Sequence, residues 1–219
     1  MRWREKDGIR WLEAELPAST AVFSTRSAGS VKDSHDPLAA ALRIPADRIV
    51  SARQVHGAEL AFHDGVDTGP PVADGHVIGQ PGLAALVYTA DCLPVALAGP
   101  GGVAILHCGW RGLAAGIASR GVEAVGATHA AIGPGIGPCC YEVGDEVHGA
   151  FGDLGAGLAR GGMLDLPEVA RRYLRQAGVL KIESADLCTC CEEELFFSHR
   201  RDAGPGRQAG LAWIECGRG

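Results

Sequence analysis

The sequence contains no long apolar run: no window approaches the ~18 apolar residues that a membrane-spanning helix needs. Basic residues are not in excess either. Lys and Arg number 20 against 26 Asp and Glu, a formal net charge of −6, so there is no composition for a broad basic surface that holds nucleic acid. The first residues, MRWREKDGIRW, alternate charges with aromatics and lack the apolar stretch of a secretory signal. No internal repeat or low-complexity linker divides the chain. No G-x-G-x-x-G fingerprint follows a strand-like segment, and Gly133-Pro134-Gly135-Ile136-Gly137 is a weak echo of one. The zinc-deaminase signature, H-x-E with P-C-x-x-C, is missing. Methionines are two, Met1 and Met163. These absences predict a soluble cytoplasmic protein that engages neither membrane nor nucleic acid, with its oligomeric state left open. Cysteines in that compartment stay mostly reduced, so the eight present read as core residues, ligands or nucleophiles.

At 219 residues the chain falls below the size at which cores usually split, roughly 250, and one domain spanning 1–219 is expected. Val/Ile/Leu-rich segments punctuated by Gly and Pro predict strands at Ser19–Ser24, Ile49–Val55, Leu83–Thr89, Leu93–Ala98, Val103–His107, Ala130–Gly133 and Ala209–Ile214. Helices are expected at Arg111–Gly126, Glu142–Phe151 and Pro167–Ala177. The last has Asp165 as cap, Pro167 in the first turn and Gly178 beyond its end. The Gly/Ala-rich stretch Phe151–Gly162 reads as a surface loop. Strands come first and helices intervene later, which predicts an α+β class: a single layered, mixed-sheet domain.

The chemistry concentrates between Ala73 and Gly112. Gly99-Pro100-Gly101-Gly102 suits a four-residue hairpin loop between two apolar strands. If Ala98 pairs with Val103, Pro94 lies opposite His107, and Cys92 is diagonal to that imidazole, about 7–8 Å away between backbones. A thiol and an imidazole then share the open end of one hairpin. Arg111 follows at the start of a helix, where a guanidinium and free backbone N–H groups suit an anion. His56 ends an apolar segment and precedes Gly57, which leaves room beside the ring. Two imidazoles and a thiolate match zinc with a fourth position open, and copper accepts the same donors. Elsewhere, Cys188-Thr189-Cys190-Cys191 has a C-x-x-C spacing with no second such pair to complete a zinc ribbon. It and Cys139-Cys140 read as thiol-rich turns, the former packed against Phe196 and Phe197.

The motifs Gln54-Val55-His56-Gly57, Ala73-Asp74-Gly75, Thr89-Ala90-Asp91-Cys92-Leu93-Pro94 and His107-Cys108-Gly109-Trp110-Arg111-Gly112 occur in the same order in the YfiH/laccase-domain family. So do the segments from Ile136 to Gly144 and from Phe196 to Asp202, and the chain resembles that family over nearly its whole length. The family was first described as multicopper polyphenol oxidases and is now understood as purine nucleoside phosphorylases with adenosine deaminase and methylthioadenosine phosphorylase activity. The resemblance implies a YfiH-like fold related to bacterial toxin cysteine deamidases, with zinc ligands on His56, Cys92 and His107. The family's N-terminal motif survives only as Thr25-Arg26-Ser27-Ala28-Gly29-Ser30, and the segment between about 30 and 50 is shorter than usual. Arg53, Cys108 and His199 also depart from the family's common residues.

Phosphorolysis of adenosine, inosine or methylthioadenosine needs an anion held beside the ribose and an oxocarbenium-like transition state. Arg26 and Arg111 are the expected phosphate contacts, because guanidinium forks match phosphate oxygens. Deamination needs water activated at neutral pH, which a zinc ion with an open position supplies, and Asp74 is the candidate acid/base partner. Three alternatives use the same residues differently. A metal-free cysteine hydrolase or deamidase would take Cys92 as nucleophile and His107 as base, with no need of His56. A copper-dependent polyphenol oxidase would want an axial ligand, often Met, and neither methionine has a ligand context. A non-catalytic nucleoside-binding protein would keep the scaffold alone.

Overall fold

The computed structural model describes residues 1–65 and 69–216, and among them the strands sort into two six-stranded mixed sheets. The first sheet runs β1 (Arg2–Lys6), β2 (Ile9–Leu16), β3 (Ser19–Ser24), β14 (Gln208–Ile214), β7 (Ala84–Thr89), β4 (Ile49–Val50). The second runs β13 (Lys181–Ser184), β10 (His129–Ile132), β8 (Leu93–Gly99), β9 (Gly102–Cys108), β6 (Gly75–Ile78), β5 (Leu60–His63). Pairing is antiparallel except for β4 with β7, β5 with β6 and β10 with β13. A two-stranded ribbon joins β11 (Ala159–Arg160) to β12 (Met163–Leu164). This is the α+β layered, mixed-sheet class expected.

The inner faces meet through Leu12, Phe23, Val87 and Ala212 of the first sheet and Ile78, Ala96, Ile105 and Ala131 of the second. Outside the first sheet, Leu38 and Ala41 of α1 (Asp36–Leu42) pack on Val22, Leu86 and Leu211. Outside the second, Leu97 and Leu106 meet α2 (Trp110–Ala114), α3 (Ile117–Val125) and α5 (Leu166–Gln176). Two short helices, α4 (Asp145–Gly149) and α6 (His199–Asp202), lie in the connections. Strands β8 and β9 are therefore covered on both faces, which is why they read as unbroken apolar runs rather than alternating ones. Each fully buried Leu or Ile there contributes about 1.5–3 kcal/mol. A Cβ on Gly121 would fall 2.8 Å from Leu106 Cδ1 and 2.9 Å from Leu97 Cδ1, so α3 reaches the sheet only because that residue has none. No helix among the described residues is long and apolar enough to cross a membrane.

The hairpin register is the expected one, with Ala98 opposite Val103 and Pro94 opposite His107. Four expectations are corrected. The helix over 111–126 is two helices, α2 and α3, separated at Gly116, whose φ of 88° ends one and starts the other. The strand over 49–55 stops at Val50, because the Gln54 side chain then clamps Tyr88 by accepting from its N–H and donating to its carbonyl. The helix over 142–151 is shortened to α4, since Glu142 bridges to Met163 and Val143 donates to the Gly162 carbonyl. The 151–162 loop is anchored, with Phe151, Leu154 and Leu158 buried in the helix-side core. The Asp165 cap stands, its carboxylate accepting from Glu168 N–H at 2.9 Å. Strands β1, β2, β5, β6 and β13 and helix α1 were not foreseen.

Candidate active site

The open end of the β8–β9 hairpin carries the site. His107 lies on β9, Cys92 immediately precedes β8, and His56 sits on the turn after Gln54. Asp74 joins them. It is fully buried, and its carboxylate accepts from His107 Nδ1 at 2.8 Å and from the N–H groups of Val55, His56 and Gly57 at 2.8–3.0 Å. Asp74 thus fixes one imidazole directly and the other through its backbone. With Nδ1 committed, the remaining ring nitrogen of His107 is the one in reach of Cys92 Sγ. The ligand atoms of His56, Cys92 and His107 lie within 4.8 Å of one another, and the two rings meet edge to face at 4.8 Å between centroids.

Two of these segments hold unfavourable backbone. His56 has φ 61° and Asp91, next to Cys92, has φ 87°, conformations that cost non-glycine residues of order 1–3 kcal/mol. Asp91 is held there by three contacts of 2.7 Å: Thr189 Oγ1 and Arg200 N–H donate to its carboxylate, and its carbonyl accepts from Ile136 N–H. Glycine supplies the remaining room, since a Cβ on Gly109 would lie 2.9 Å from Cys92 Sγ and 3.4 Å from the His56 ring.

Opposite charges set the proton affinities. Burial works against charge on both Cys92 and His107, but their mutual attraction outweighs it. The thiol is drawn down to about 6 by His107 and His56, and His107 is pushed up to about 9 by Cys92 and by Asp74. Burial raises Asp74, yet the bonds from His107, Gly57 and Val55 hold its carboxyl below the usual range. Cys108, the neighbouring thiol, is fully buried in the helix-side core and pushed up by that burial.

A cleft of about 500 Å³ opens over His56, Cys92 and His107. Lys32, Arg53, Arg111, Arg200 and Arg207 bring five cations to its wall, with Asp91 as the carboxylate among them. Arg111 stacks on Trp110 at 4.5 Å. Arg26 does not line the cleft: its guanidinium donates to the Glu193 carbonyl and lies over the Phe197 ring at 4.8 Å. Asp74 does not line it either, and its contacts are those of a positioning group. Sequence reading missed Lys32, Arg200 and Arg207 as cleft residues. Lys32 and Arg207 lie outside regular elements and Arg200 on the four-residue α6, and only the tertiary fold brings them together.

The donor set fits a metal ion. Two imidazoles and one thiol converge, one imidazole is oriented by a buried carboxylate, and the group faces an open cleft, the arrangement of a site that keeps a position for water or substrate.

Two sheets, helices on their outer faces and a three-donor centre at a hairpin mouth define an α+β fold with a candidate mononuclear metal site. The chain belongs to the multi-copper polyphenol oxidoreductase laccase family, whose model matches residues 20–215. It is 40% identical over 185 residues to a purine nucleoside phosphorylase of Xylella fastidiosa strain Temecula1, covering 75% of this chain and 71% of that protein. It is 36% identical over 197 residues to the purine nucleoside phosphorylase YfiH of Escherichia coli K12, covering 84% and 81%. The crystal structure of YlmD from Geobacillus stearothermophilus superposes with a TM-score of 0.85 at 31% identity, covering 98% of this chain and 99% of that one.

Proposed function

We propose that this chain is a zinc-dependent purine nucleoside phosphorylase of the cytoplasm that also deaminates adenosine. The observation that carries the reading is the His56, Cys92, His107 group at one wall of a cleft rich in cations. The names of the relatives support the phosphorylase part. Phosphate is assigned to Arg111, with Lys32, Arg53, Arg200 and Arg207 supplying the surrounding positive field. A phosphate oxygen attacks the ribose anomeric carbon as the glycosidic C–N bond breaks, and the purine leaves with the bonding pair and takes a proton. Arg26, held on Glu193 and Phe197, is left outside this assignment. Zinc held by His56, Cys92 and His107 would supply Lewis-acid polarisation and activation of water at neutral pH. Asp74 keeps His107 in one tautomer and fixes the His56 turn, so the donors need no reorganisation.

The test is direct. Metal-analysed protein is incubated with adenosine, inosine or methylthioadenosine, with and without phosphate, and products are resolved by chromatography. Free base that appears only with phosphate supports phosphorolysis, and inosine from adenosine supports deamination. No product in any mixture overturns the proposal. Elemental analysis of the same sample decides zinc against copper.

A second reading has its own support. Cys92, His107 and Asp74 form a thiol–imidazole–carboxylate series with the thiol lowered to about 6, which suits a metal-free cysteine hydrolase. It needs no His56. Activity that survives both chelation and His56→Ala favours the hydrolase and removes the zinc reading.

A further inference from the structure

Away from the cleft floor, the fold gathers four cysteines that the sequence holds in two separate turns. Cys139 and Cys140 follow Gly137-Pro138, and Cys188 and Cys191 bracket Thr189-Cys190 some fifty residues later. Their four Sγ atoms lie within 4.8 Å of one another. Cys191 is shared, 3.3 Å from Cys139 and 3.4 Å from Cys140, rather than paired with either. With Zn–S bonds of about 2.3 Å, the corners of a tetrahedral site stand about 3.8 Å apart. The sulfurs already approach that spacing.

We propose that Cys139, Cys140, Cys188 and Cys191 form a second metal site, a closed tetrathiolate that takes a structural zinc ion. The backbone around Cys188 is arranged for anionic sulfur. Gly137 N–H donates to Cys188 Sγ at 3.2 Å, and the N–H groups of Cys190 and Cys191 turn toward the same atom. Successive N–H groups wrapped around one atom form the concavity that stabilises negative charge. Gly137 permits the approach, since a Cβ there would lie 3.2 Å from Cys188 Cβ and 3.4 Å from Cys139 Sγ. The two turns are already registered by the Gly135–Cys188 bridge and by Thr189 N–H donating to the Gly135 carbonyl. Arg201 donates to the Thr189 and Cys190 carbonyls and closes the turn from behind. Cys139 and Cys191 are exposed, which gives the ion a path in.

Loading releases the thiol protons to solvent and replaces them with one cation. The ion would staple two segments that back the cleft: Tyr141 follows Cys140 into its wall, and Thr189, between the ligands, holds Asp91 beside Cys92. Cys190 is the fifth thiol of the patch and is not a ligand.

The experiment is metal stoichiometry on protein produced in zinc-containing medium and purified anaerobically, without chelator. The expected result is a tetrathiolate-bound zinc that remains in His56→Ala/His107→Ala, is lost in Cys188→Ser/Cys191→Ser, and is unaffected in Cys190→Ser. Because the double serine variant can misfold, the unsubstituted chain supplies a second readout. Alkylation of Cys139 and Cys191 should be about tenfold slower with zinc than after chelator stripping, since bound thiolates are protected. Cobalt added to stripped His56→Ala/His107→Ala protein should give the intense visible bands of a tetrahedral thiolate site. Zinc that disappears with His56 and His107, iron in place of zinc, or a disulfide from Cys191 in anaerobic protein would each overturn the proposal. None of these readouts depends on nucleoside turnover.

Discussion

The cleft group and the four-thiol group differ in what stands behind them. In the cleft, a thiol faces two imidazoles and a buried carboxylate, so opposite charges neutralise one another and one position stays open. In the second group, like donors crowd together, with backbone N–H groups as the neighbouring positive ends. The first is mounted on the mouth of a hairpin buried on both faces, and the second on two turns bridged to each other and tied to Asp91, Arg200 and Arg201. Three donors gathered at a hairpin mouth, with one position open, suit chemistry, and four donors across two turns suit closure. The difference is that between catalytic and structural metal sites generally.

The sharpest way to break this contrast is to remove one donor from each group. His107→Ala should lower nucleoside turnover on the order of 10³-fold, about 4 kcal/mol in the barrier. Cys188→Ser should leave kcat within about tenfold, and lower Tm by about 2–4 °C for every kcal/mol of stability lost. Steady-state kinetics and thermal melts on the same samples make the comparison. Equal losses of kcat in both variants would show that the groups are not functionally distinct.

Asp74→Asn probes the support rather than the donors. The carboxylate accepts four N–H groups, and an amide cannot accept them all. Loss of such an outer partner costs about 10–100-fold in metal affinity or activity. Competitive zinc titration should show that loss in the cleft alone. An unchanged cleft affinity would mean that the hairpin positions His107 without help.

The cleft group was largely legible in the sequence, and the reason is local. Cys92 and His107 flank one hairpin whose loop composition and apolar pattern set the register, so a two-residue pairing placed them. His56 came from the residue types around it. The burial of Asp74 was not legible, because an Asp before Gly shows its type and not its depth. Arg111 was expected at an anion site and does line the cleft; Lys32, Arg200, Arg207 and the four-thiol group were hidden for a different reason. Arg200 and Arg207 come from the C-terminal connections, Lys32 from the N-terminal ones, and Cys139 meets Cys191 across 52 positions. Only sheet order brings such segments together, and no local periodicity reports it.

A matched pair of glycine substitutions sharpens the contrast at smaller amplitude. Gly109→Ala places a Cβ 2.9 Å from Cys92 Sγ, and Gly137→Ala places one 3.2 Å from Cys188 Cβ. Each crowds one group and leaves the other untouched, at an overpacking cost of about 1–3 kcal/mol. Gly109→Ala should lower kcat with zinc still bound at the four thiols. Gly137→Ala should lower zinc retention at the thiols with kcat nearly unchanged. The reverse pattern would exchange the roles assigned to the two groups.

A second imidazole pair isolates what the thiol and carboxylate do for the first. His63 and His76 stack at 5.1 Å between centroids and share a 2.8 Å hydrogen bond, both buried on the β5–β6 pair. There burial, reinforced by His63, presses His76 down to about 3, the opposite of His107. The sign follows from linkage. Between the ordinary value of 6.5 and about 3, the unfolded chain takes up a proton that the folded chain refuses, so stability falls as pH drops through that window. From pH 6.5 to 5 this amounts to about 2 kcal/mol, at 1.36 kcal/mol per unit. Acid also strips metal from imidazole and thiolate donors, which adds a fall of its own. Urea midpoints of the unsubstituted chain and of His76→Asn, measured at both pH values, separate the two, because Asn does not titrate and the metal contribution is common. The variant should lose the His76 part of the slope and keep the rest. Identical slopes would mean that the pair carries no such penalty, and that burial alone does not distinguish these imidazoles from those of the cleft.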